Sequence, residues 1–423
     1  MPDSRISALV IFIAAYVLFI FLPARRMLVA LGAAVAIVAL RVMPPLDAFQ
    51  TINWNVIGIF VGNLIVADAL IRSRAPAYLA EVIVERSRNT AWALLWICLL
   101  TGAISAFVDN VATVLLIAPV GLALAHKLKL NPKPLMIGIA ISSNLQGAAT
   151  LIGDTPSMLL GTEAGINFVE FFWLQGKPGI FFAVQCGAAA SFFVLYVLFR
   201  KLREKVRIER VEQVKSWVPS LILTGLILTL ASTSFIKNRP DWTPGAICMV
   251  AGIVAMAWEK LTHKGSIIRG LKSLDWDTTF FLMGIFILVG SISATGWVTD
   301  IANALLGMVG GNVFAAYTLI VVISVLVSAV VDNIPYLAAM LPAVGLMSQN
   351  LGCNPMLLYF GLLIGASLGG NVTQIGASAN IAACAMAKKD GHPIGFFEFM
   401  KIGVPFTLAA TLAAYLFTWF VWR

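Results

Sequence analysis

The sequence predicts an all-α polytopic membrane protein, built as an inverted repeat of two five-helix halves, each with a re-entrant hairpin and a broken helix. Composition, long apolar runs and a duplicated motif predict this fold class. Of the 423 residues, 60% are hydrophobic and 12% are charged, whereas a soluble domain has about 25% charged residues. The composition therefore argues against a soluble enzyme or a nucleic-acid-binding domain. The five cysteines lack CxxC spacing and indicate neither a disulfide framework nor a zinc site.

Apolar runs that could span a bilayer, which takes about 20 residues or about 17 at the short end, occur at 6–23, 27–44, 54–71, 179–199, 217–236, 243–258, 276–295 and 403–422. Four more apolar regions are interrupted by polar residues, at 91–126, 134–165, 312–349 and 355–387. The charged segment 200–216 is predicted to be a cytoplasmic amphipathic helix. It connects a first transmembrane repeat, 1–199, to a second inverted repeat, 217–423. The first run is too long for a signal peptide, and no small-residue cleavage site follows it.

A duplicated pattern relates the interrupted regions to one another. The motif SAFVDN at 105–110 recurs as SAVVDN at 328–333, an offset of 223 residues. At the same offset, three further residues match: Gly147, Thr150 and Gly153 correspond to Gly370, Thr373 and Gly376. Each half then contains two spanning helices, a third that starts at a tryptophan, a hairpin folded at Asp-Asn, a broken helix and a final helix. Five crossings in each half would invert the second half relative to the first, a common plan in transporters.

The net charge of +9 indicates membrane orientation. When each hairpin enters and leaves on one side, almost all of the 29 Lys and Arg residues fall on the side of the connector 200–216. The exceptions are Arg5, Arg41, Lys177, Lys237, Arg239 and Arg423. Because Lys and Arg concentrate in cytoplasmic loops, this distribution predicts crossings of the inner (plasma) membrane with both termini outside.

Four acidic residues lie deep in apolar sequence: Asp68, Asp109, Asp154 and Asp332. A charge at the bilayer centre costs at least about 2.5–3.5 kcal/mol, and no Lys or Arg lies in the same apolar cores. A proton, a metal cation or a polar substrate is therefore the expected partner, although Asp68, near the end of its helix, is given less weight. The candidates at the hairpin tips are Asp109, Asn110, Thr113, Asp332 and Asn333. Asp109 and Asp332 are the candidate sodium or proton sites, and the alternative is that they only cap helices.

The broken helices supply the second group of candidates. Glycines there let the backbone unwind and approach a ligand closely, and hydroxyl and amide side chains offer neutral ligands. The alternative interpretation is helix packing through small residues, which is widespread in membrane proteins. The recurrence of the pattern inside two presumed spans favours a binding site. Its candidate residues are Asn144, Gly147, Thr150, Gly153, Asp154, Ser157, Gly370, Asn371, Thr373, Gly376, Ser378 and Asn380.

Four motifs make the sequence similar to the ion transporter superfamily, and to its branch of ArsB-type arsenite pumps, NhaD-type sodium/proton antiporters and P-protein-like permeases. They are SAFVDNVATVLLIAP (105–119), SSNLQGAATLIGDTPSMLLG (142–161), SAVVDNIPYLAAMLP (328–342) and SLGGNVTQIGASANI (367–381). The resemblance implies a dimerising scaffold domain and a transport domain that holds the hairpins and broken helices. Three residues depart from the pattern of this branch: Gln146 stands where glycine is usual, Thr155 where proline is usual and Ser157 where asparagine is usual.

The resemblance also shapes the expected substrate. Dicarboxylate transporters of the superfamily carry Ser-Asn-Thr at each tip with sodium beside it, whereas this chain has Asp-Asn at both tips. Carboxylates repel an organic anion unless they are protonated or paired. The expected function is therefore a proton-coupled arsenite or antimonite efflux antiporter. The alternatives are a sodium/proton antiporter and a sodium-coupled carboxylate-type anion transporter.

The remaining expectations concern cofactors and partners. The sequence has no nucleotide-binding motif, so the protein is expected to be a secondary active transporter and not an enzyme. No cofactor is expected, and the coupling ion is a proton or sodium. The expected partners are a small inorganic solute or ion, the lipid bilayer, a second copy in a homodimer and a separate ATPase subunit, with no nucleic acid. The three histidines are expected to be solvated and to form no metal cluster.

Overall fold

The computed structural model describes residues 4–22, 25–204, 213–263 and 274–423, and helices make up nearly all of their regular structure. The first half contains α1 (Ser4–Phe21), α2 (Arg26–Ala39), α3 (Pro45–Gln50), α4 (Trp54–Ser73), α5 (Ala75–Glu85), α6 (Thr90–Ser105), α7 (Asn110–Lys127), α8 (Lys133–Gly147), α9 (Thr155–Glu163) and α10 (Ile180–Phe199). The second half contains α11 (Val218–Thr233), α12 (Thr243–His263), α13 (Trp276–Ala294), α14 (Trp297–Val309), α15 (Val313–Ser328), α16 (Asn333–Leu351), α17 (Pro355–Gly369), α18 (Ser378–Lys389) and α19 (Phe396–Trp422).

Short elements complete the description. A 3₁₀ turn covers Val169–Phe171, and another, Gly370–Val372, follows α17. The strands β1 (Trp173–Leu174) and β2 (Lys177–Pro178) pair antiparallel before α10. The predicted connector helix falls largely on residues 205–212, which lie outside the described residues.

Eight helices of the described residues are long and apolar enough to cross a membrane: α1, α4, α7, α10, α12, α13, α17 with its 3₁₀ turn, and α19. The pair α14 and α15, bent by 117°, would make a ninth span, and α2, α6 and α11 are shorter apolar helices. All eight uninterrupted apolar runs coincide with helices. The run at 27–44 is helical only to Ala39, because the chain turns through Arg41 at φ 57° before the prolines that begin α3. The chain is thus an all-α, multi-span membrane protein.

Three helices do not appear in the sequence-based description: the short α3, and α5 and α14. α5 and α14 each lie between the helix that starts at a tryptophan and the first arm of a hairpin. α5 follows Arg74, which has a left-handed backbone at φ 58°, and α14 follows Gly296 at φ 82°. At 11 and 13 residues, both helices are shorter than the about 17 apolar residues that mark a spanning helix in the sequence. With α5 and α14 included, the nine helices α1, α2 and α4–α10 of the first half correspond one by one, in chain order, to the nine helices α11–α19 of the second half.

The helix breaks lie where the duplicated motifs predict them. α7 begins directly after Asp109 and α16 directly after Asp332, and each carboxylate accepts a hydrogen bond from the following turn. In the first broken helix, α8 ends at Gly147 and α9 begins after Asp154. In the second, α17 ends at Gly369 and α18 begins at Ser378. Since Asp is a favourable N-cap residue, three of the four restarts are explained by local sequence.

The two halves contact each other through reciprocal helix pairs. α4 packs against α12, and α2 packs against α13. A Cβ atom added to Gly284 would lie 2.7 Å from the Cβ of Ala30, and one added to Gly252 would lie 3.1 Å from the carbonyl oxygen of Gly62. Gly62 and Gly284 are 222 residues apart, as are Ala30 and Gly252. The same close crossing therefore occurs twice with the halves exchanged, whereas inversion across a membrane stays a prediction.

The interrupted regions pack reciprocally as well. α18 of the second half contacts α7 and α8, and α9 of the first half contacts α16 and α17. This arrangement brings the restarting ends of helices from both halves to the middle of the molecule. The candidate site is built from these ends.

Candidate transport site

Both hairpin tips and both broken helices line one cavity between the halves. Its volume is about 420 Å³, including its opening to solvent. Six of the residues predicted from sequence line it: Asp109, Asn110, Asn144, Asp154, Asn333 and Ser378. Small-molecule sites commonly place a few converging polar groups in a concave pocket. The cavity therefore has the polar lining and the position expected of a solute-binding site.

The first-half wall carries two carboxylates. Asp109 Oδ1 accepts hydrogen bonds from the backbone N–H groups of Val111 at 3.0 Å and Ala112 at 3.1 Å. Asp154 is 2% exposed, and its Oδ1 accepts from the backbone N–H of Ser157 at 2.9 Å. Its Oδ2 is buried without a hydrogen-bond partner among the described residues. Neither carboxylate forms an ion pair within that part of the chain, so both have capacity for a proton or a cation.

The second hairpin tip is electrically different, and its Asp332 lines an adjacent cavity together with Arg26 and Ser378. Asp332 Oδ1 accepts from the backbone N–H of Ile334 at 3.1 Å, as expected for a cap. Its Oδ2 accepts from Arg26 Nη1 at 2.7 Å and from the Ser378 hydroxyl at 3.1 Å. The expectation that no basic side chain reaches the core carboxylates was therefore wrong at this tip. Arg26, assigned from sequence to a cytoplasmic loop, neutralises the charge of Asp332.

Arg26 belongs to a larger polar network. Its Nη2 donates to Thr278 Oγ1 at 2.8 Å, and the Thr278 hydroxyl donates to Asp275 Oδ2 at 2.6 Å. Its Nη1 also donates to Ser378 Oγ at 2.8 Å. One guanidinium thus joins the N-terminal ends of α13 and α18 to the tip before α16. Arg26, Thr278 and Asp275 line the cavity beside the predicted residues, and the sequence interpretation missed all three.

A chain of amides crosses from one half to the other. The Ser105 hydroxyl donates to Asn110 Oδ1 at 2.7 Å, and Asn110 Nδ2 donates to Asn144 Oδ1 at 3.2 Å. Asn144 Nδ2 then donates to Asn371 Oδ1 at 3.0 Å and to the carbonyl of Ser367 at 2.9 Å. Asn144 and Ser367 are 223 residues apart, so matching positions touch each other here. The two halves meet at this point, and the amides connect the first tip to the second broken helix.

Several predicted residues support the helix breaks from behind and do not line the cavity. The hydroxyls of Thr150 and Thr373 donate to the carbonyls of Ala106 and Ala329, which tie each broken helix to its hairpin. The Ser157 hydroxyl donates to the Gly147 carbonyl at 3.4 Å, and Asn380 Nδ2 donates to the Gly370 carbonyl at 2.8 Å. The remaining residues of this group are Thr113, Gly153, Asn371 and Gly376, all buried.

The glycines of the breaks are explained by close approach. A Cβ atom at Gly147 would overlap the side-chain amide of Asn110, and one at Gly153 would lie 2.9 Å from the carbonyl oxygen of Ala106. A Cβ atom at Gly376 would lie 2.8 Å from the carbonyl oxygen of Ser328. Only glycine lets the unwound backbone lie this near the hairpin.

Asp68 is not part of the cavity. Its carboxylate forms an ion pair with Arg72 at 2.7 Å on the same helix, and Arg72 also contacts Glu259 at 2.5 Å. This pairing at the end of α4 agrees with the lower weight that Asp68 received from its sequence position.

Comparison with known proteins identifies the family. A family model described as a citrate transporter matches residues 16–365 and 246–423. A Mycobacterium tuberculosis protein described as an uncharacterized transporter is 33% identical, with 98% of each chain covered. The mouse P protein is 26% identical over 95% of this chain and 58% of its own length.

Two solved structures share the fold. The YdaH transporter of Alcanivorax borkumensis superposes with a TM-score of 0.62 at 15% identity, covering 88% of this chain and 85% of the other. The Neisseria gonorrhoeae MtrF protein, described among antimetabolite efflux pumps, gives a TM-score of 0.54 at 13% identity, covering 88% and 81%. The predicted resemblance to the ion transporter superfamily is confirmed, and the molecule is a membrane transporter by family and by fold.

Proposed function

The chain belongs to the citrate transporter family of the ion transporter superfamily, and on that premise we propose that it is a proton-coupled antiporter that exports arsenite or antimonite. The observation that carries this proposal is the pair Asp109 and Asp154, which face one cavity without a basic partner among the described residues. At membrane depth an uncompensated carboxylate costs about 2.5–3.5 kcal/mol. Binding a proton removes that cost, and releasing it on the other side of the membrane couples the proton gradient to solute movement.

The proposed solute fits the remaining polar groups. Trivalent arsenic near neutral pH is an uncharged trihydroxide, which needs hydrogen-bond donors and acceptors more than charge. Asn110, Asn144 and Ser378 supply amide and hydroxyl groups on the cavity wall, and an amide is both donor and acceptor. Three carboxylates, Asp109, Asp154 and Asp275, line the cavity together with one guanidinium, that of Arg26, so a free polyanion would meet net repulsion there.

A second candidate is sodium-coupled transport of a carboxylate-type anion, such as the citrate of the family's description. The observation that favours it is Arg26, because a guanidinium binds a carboxylate in a two-pronged geometry. Asp332 already occupies one side of Arg26. An organic anion would therefore need cations at Asp109 and Asp154 to offset the negative charge. Sodium/proton antiport through the candidate sites Asp109 and Asp332 is the third candidate, favoured by the same unpaired Asp109 carboxylate.

For the mechanism, we propose that a transport domain containing α6–α9 and α15–α18 moves against a scaffold that contains α2, α4, α12 and α13. The ion pair between Arg26 on α2 and Asp332 before α16 would then join the two domains in the state described here. Its exchange for another partner would accompany movement, as expected for inverted-repeat carriers. We also propose a homodimer in the inner (plasma) membrane with both termini outside. No cofactor is proposed, and a separate ATPase subunit is a proposed partner.

The test is solute flux in liposomes that contain the purified full chain. We expect an imposed pH gradient to drive arsenite in the direction opposite to the flow of protons. Asp109→Asn should reduce this coupled flux about tenfold or more, equivalent to at least about 1.4 kcal/mol. Asn caps a helix as well as Asp does, so the variant should fold. The control is Asp300→Asn, which removes a half-exposed carboxylate that pairs with Arg5 at the molecular surface.

Each alternative gives a different result in the same liposomes. Citrate uptake driven by a sodium gradient, without arsenite flux, would replace the proposal with the second candidate. Sodium-driven changes of internal pH without solute would support the third. Arsenite flux that is equal in wild type and Asp109→Asn would reject the proposed coupling site.

A further inference from the structure

A cluster of two imidazoles and a carboxylate lies away from the transport cavity. His126 is in the last turn of α7, and Asp390 and His392 are in the turn after α18. His126 Nε2 lies 2.9 Å from Asp390 Oδ2, and His392 Nδ1 lies 3.1 Å from the same oxygen. One ligand atom from each of the three residues lies within 4.8 Å of the other two. Both imidazoles stay partly exposed to solvent, and both contact the same carboxylate oxygen.

The cluster is formed by residues that are distant in sequence. His126 and Asp390 are 264 residues apart, so their contact results from the packing of α18 against α7. Gly391, at φ 83°, turns the chain so that His392 returns beside Asp390, and glycine adopts this left-handed conformation without strain. We propose that His126, Asp390 and His392 form a binding site for a divalent metal ion of the zinc type.

The distances suit such an ion. Zinc binds imidazole nitrogen at about 2.0–2.1 Å and carboxylate oxygen at about 2.0–2.2 Å, so tetrahedral neighbours are about 3.4 Å apart. The observed 2.9 Å and 3.1 Å require only a small outward shift of the imidazoles. The His126 and His392 side chains are 52% and 40% exposed. They are therefore free to adjust, and water can complete the coordination.

The donor set and its surroundings select the class of metal. Imidazole nitrogens favour zinc, copper and nickel, whereas calcium and magnesium require mostly oxygen ligands. The cluster has one carboxylate, and Lys127, Lys388 and Lys389 are close to it in sequence. A hard cation held mainly by charge is disfavoured in this basic environment. A bound metal ion would replace the hydrogen bonds between the imidazoles and Asp390.

The site is independent of the proposed transport function. His126 is separated from Asn110, at the cavity, by about 24 Å along α7 at 1.5 Å per residue. A bound metal would link the end of α7 in the first half to the turn between α18 and α19 in the second half. The opposite ends of α7 and α18 line the cavity. Metal binding would thus restrain two helices that border the transport site without adding a ligand to it.

The experiment uses tag-free, full-length protein in detergent, freed of metal by a chelator and titrated with Zn²⁺ alone in a calorimeter. We expect one Zn²⁺ per chain. His126→Ala and His392→Ala should each weaken binding by about tenfold or more, since even indirect disturbance of a metal site costs about 10–100-fold. His263→Ala, which removes the third histidine of the sequence, is the matched control and should bind Zn²⁺ as the wild type does.

Co²⁺ substitution provides a second measurement. Bound Co²⁺ in a tetrahedral site gives visible absorption, which should be present in the wild type and in His263→Ala and lost in His126→Ala. Equal Zn²⁺ affinity in the wild type and in both cluster variants would overturn the proposal. The absence of stoichiometric Zn²⁺ binding to the wild type would also overturn it. Asp390 would then serve only as a hydrogen-bond acceptor for two histidines. Because metal binding is measured without transport, either result leaves the transport proposal intact.

Discussion

Asp109 and Asp332 occupy matching positions 223 residues apart, and each accepts a hydrogen bond from the first turn of the helix that follows. Their remaining contacts differ. Asp332 is bound to Arg26, whereas Asp109 has no ion-pair partner among the described residues. The next matched positions differ as well, since Asp154 in the first half corresponds to Ala377 in the second. The first half thus presents two carboxylates with free capacity, and the second presents one that is neutralised.

The backbone of the two breaks differs much less. Thr150 and Thr373 make the same hydrogen bond to the hairpin of their own half. Ser157 and Asn380 both donate to the glycine carbonyl at the end of the preceding helix. The comparison teaches that the duplicated part of the site is the means of breaking a helix inside the protein. The charges placed on that framework are specific to each half, and the proposed coupling of a proton to a solute would use this difference.

The largest expected effect is at Asp154. Asp154→Asn keeps a side chain that can cap the helix, and it removes a charge that is also absent at Ala377, the matching position of the second half. Because an amide cannot exchange a proton at this position, coupled flux should fall about a hundredfold, equivalent to about 2.7 kcal/mol. The measurement is solute flux under a pH gradient in liposomes. Ala377→Asp is the matched variant in the other half, and it should not restore flux to Asp154→Asn.

A smaller effect is expected at the ion pair of Arg26 and Asp332. Removing one partner of a buried pair costs about 3–5 kcal/mol. Because 21% and 19% of these side chains are exposed, we expect about 1–3 kcal/mol for Arg26→Gln or Asp332→Asn. In a double-mutant cycle followed by thermal unfolding in detergent, the double variant should lose less than the sum.

The control cycle uses Arg5 and Asp300, which are paired but 46% and 47% exposed. Exposed pairs contribute about 0–1 kcal/mol, so this cycle should give a coupling energy near zero. Equal coupling energies in the two cycles would show that the charge of Asp332 is not neutralised by a buried partner.

The glycines at the ends of α8 and α17 should respond unequally. In Gly147→Ala, the new methyl group would overlap the Asn110 amide, and overpacking of this kind costs about 1–3 kcal/mol. In Gly370→Ala, the nearest atom is the Gly376 carbonyl oxygen at 2.9 Å, and a smaller loss is expected. Thermal unfolding measures both, with Gly225→Ala as the control because nothing lies within 4 Å of its Cβ position. A larger loss at Gly370 would contradict the proposed asymmetry.

The smallest effects should be similar in the two halves. Thr150→Val and Thr373→Val each remove the buried hydrogen bond to a hairpin carbonyl, and each should lower the free energy of unfolding by about 1 kcal/mol. Thr373→Val also removes the acceptor of two longer hydrogen bonds from the backbone N–H groups of Ile375 and Gly376, so its loss should be slightly larger. Similar shifts in melting temperature would support a shared framework. Shifts that differ by a factor of two or more would mean that the framework, and not only its charges, has diverged between the halves.

Much of the fold and part of the site could be predicted from the sequence. Apolar runs located the long helices, and Asp109 and Asp332 marked the breaks because the capping preference of Asp acts over three residues. α5 and α14 could not be seen, since at 11 and 13 residues they are shorter than the about 17 apolar residues that mark a spanning helix. The candidate residues on the broken helices were found as a group. Their division into cavity wall and supporting layer depends on which way each side chain faces after packing.

The sequence by itself determined that the chain spans a membrane, where its helices break and that the same motifs recur in both halves, because hydropathy, capping and repetition are local properties. Tertiary structure alone decided that Arg26 reaches Asp332 across 306 residues and that Asn144 meets Asn371 between the halves. It also decided that His126 lies beside Asp390. Whether a carboxylate is neutralised depends on the groups that packing brings within about 4 Å of it. That distance is set by helices from both halves, and no run of sequence records it.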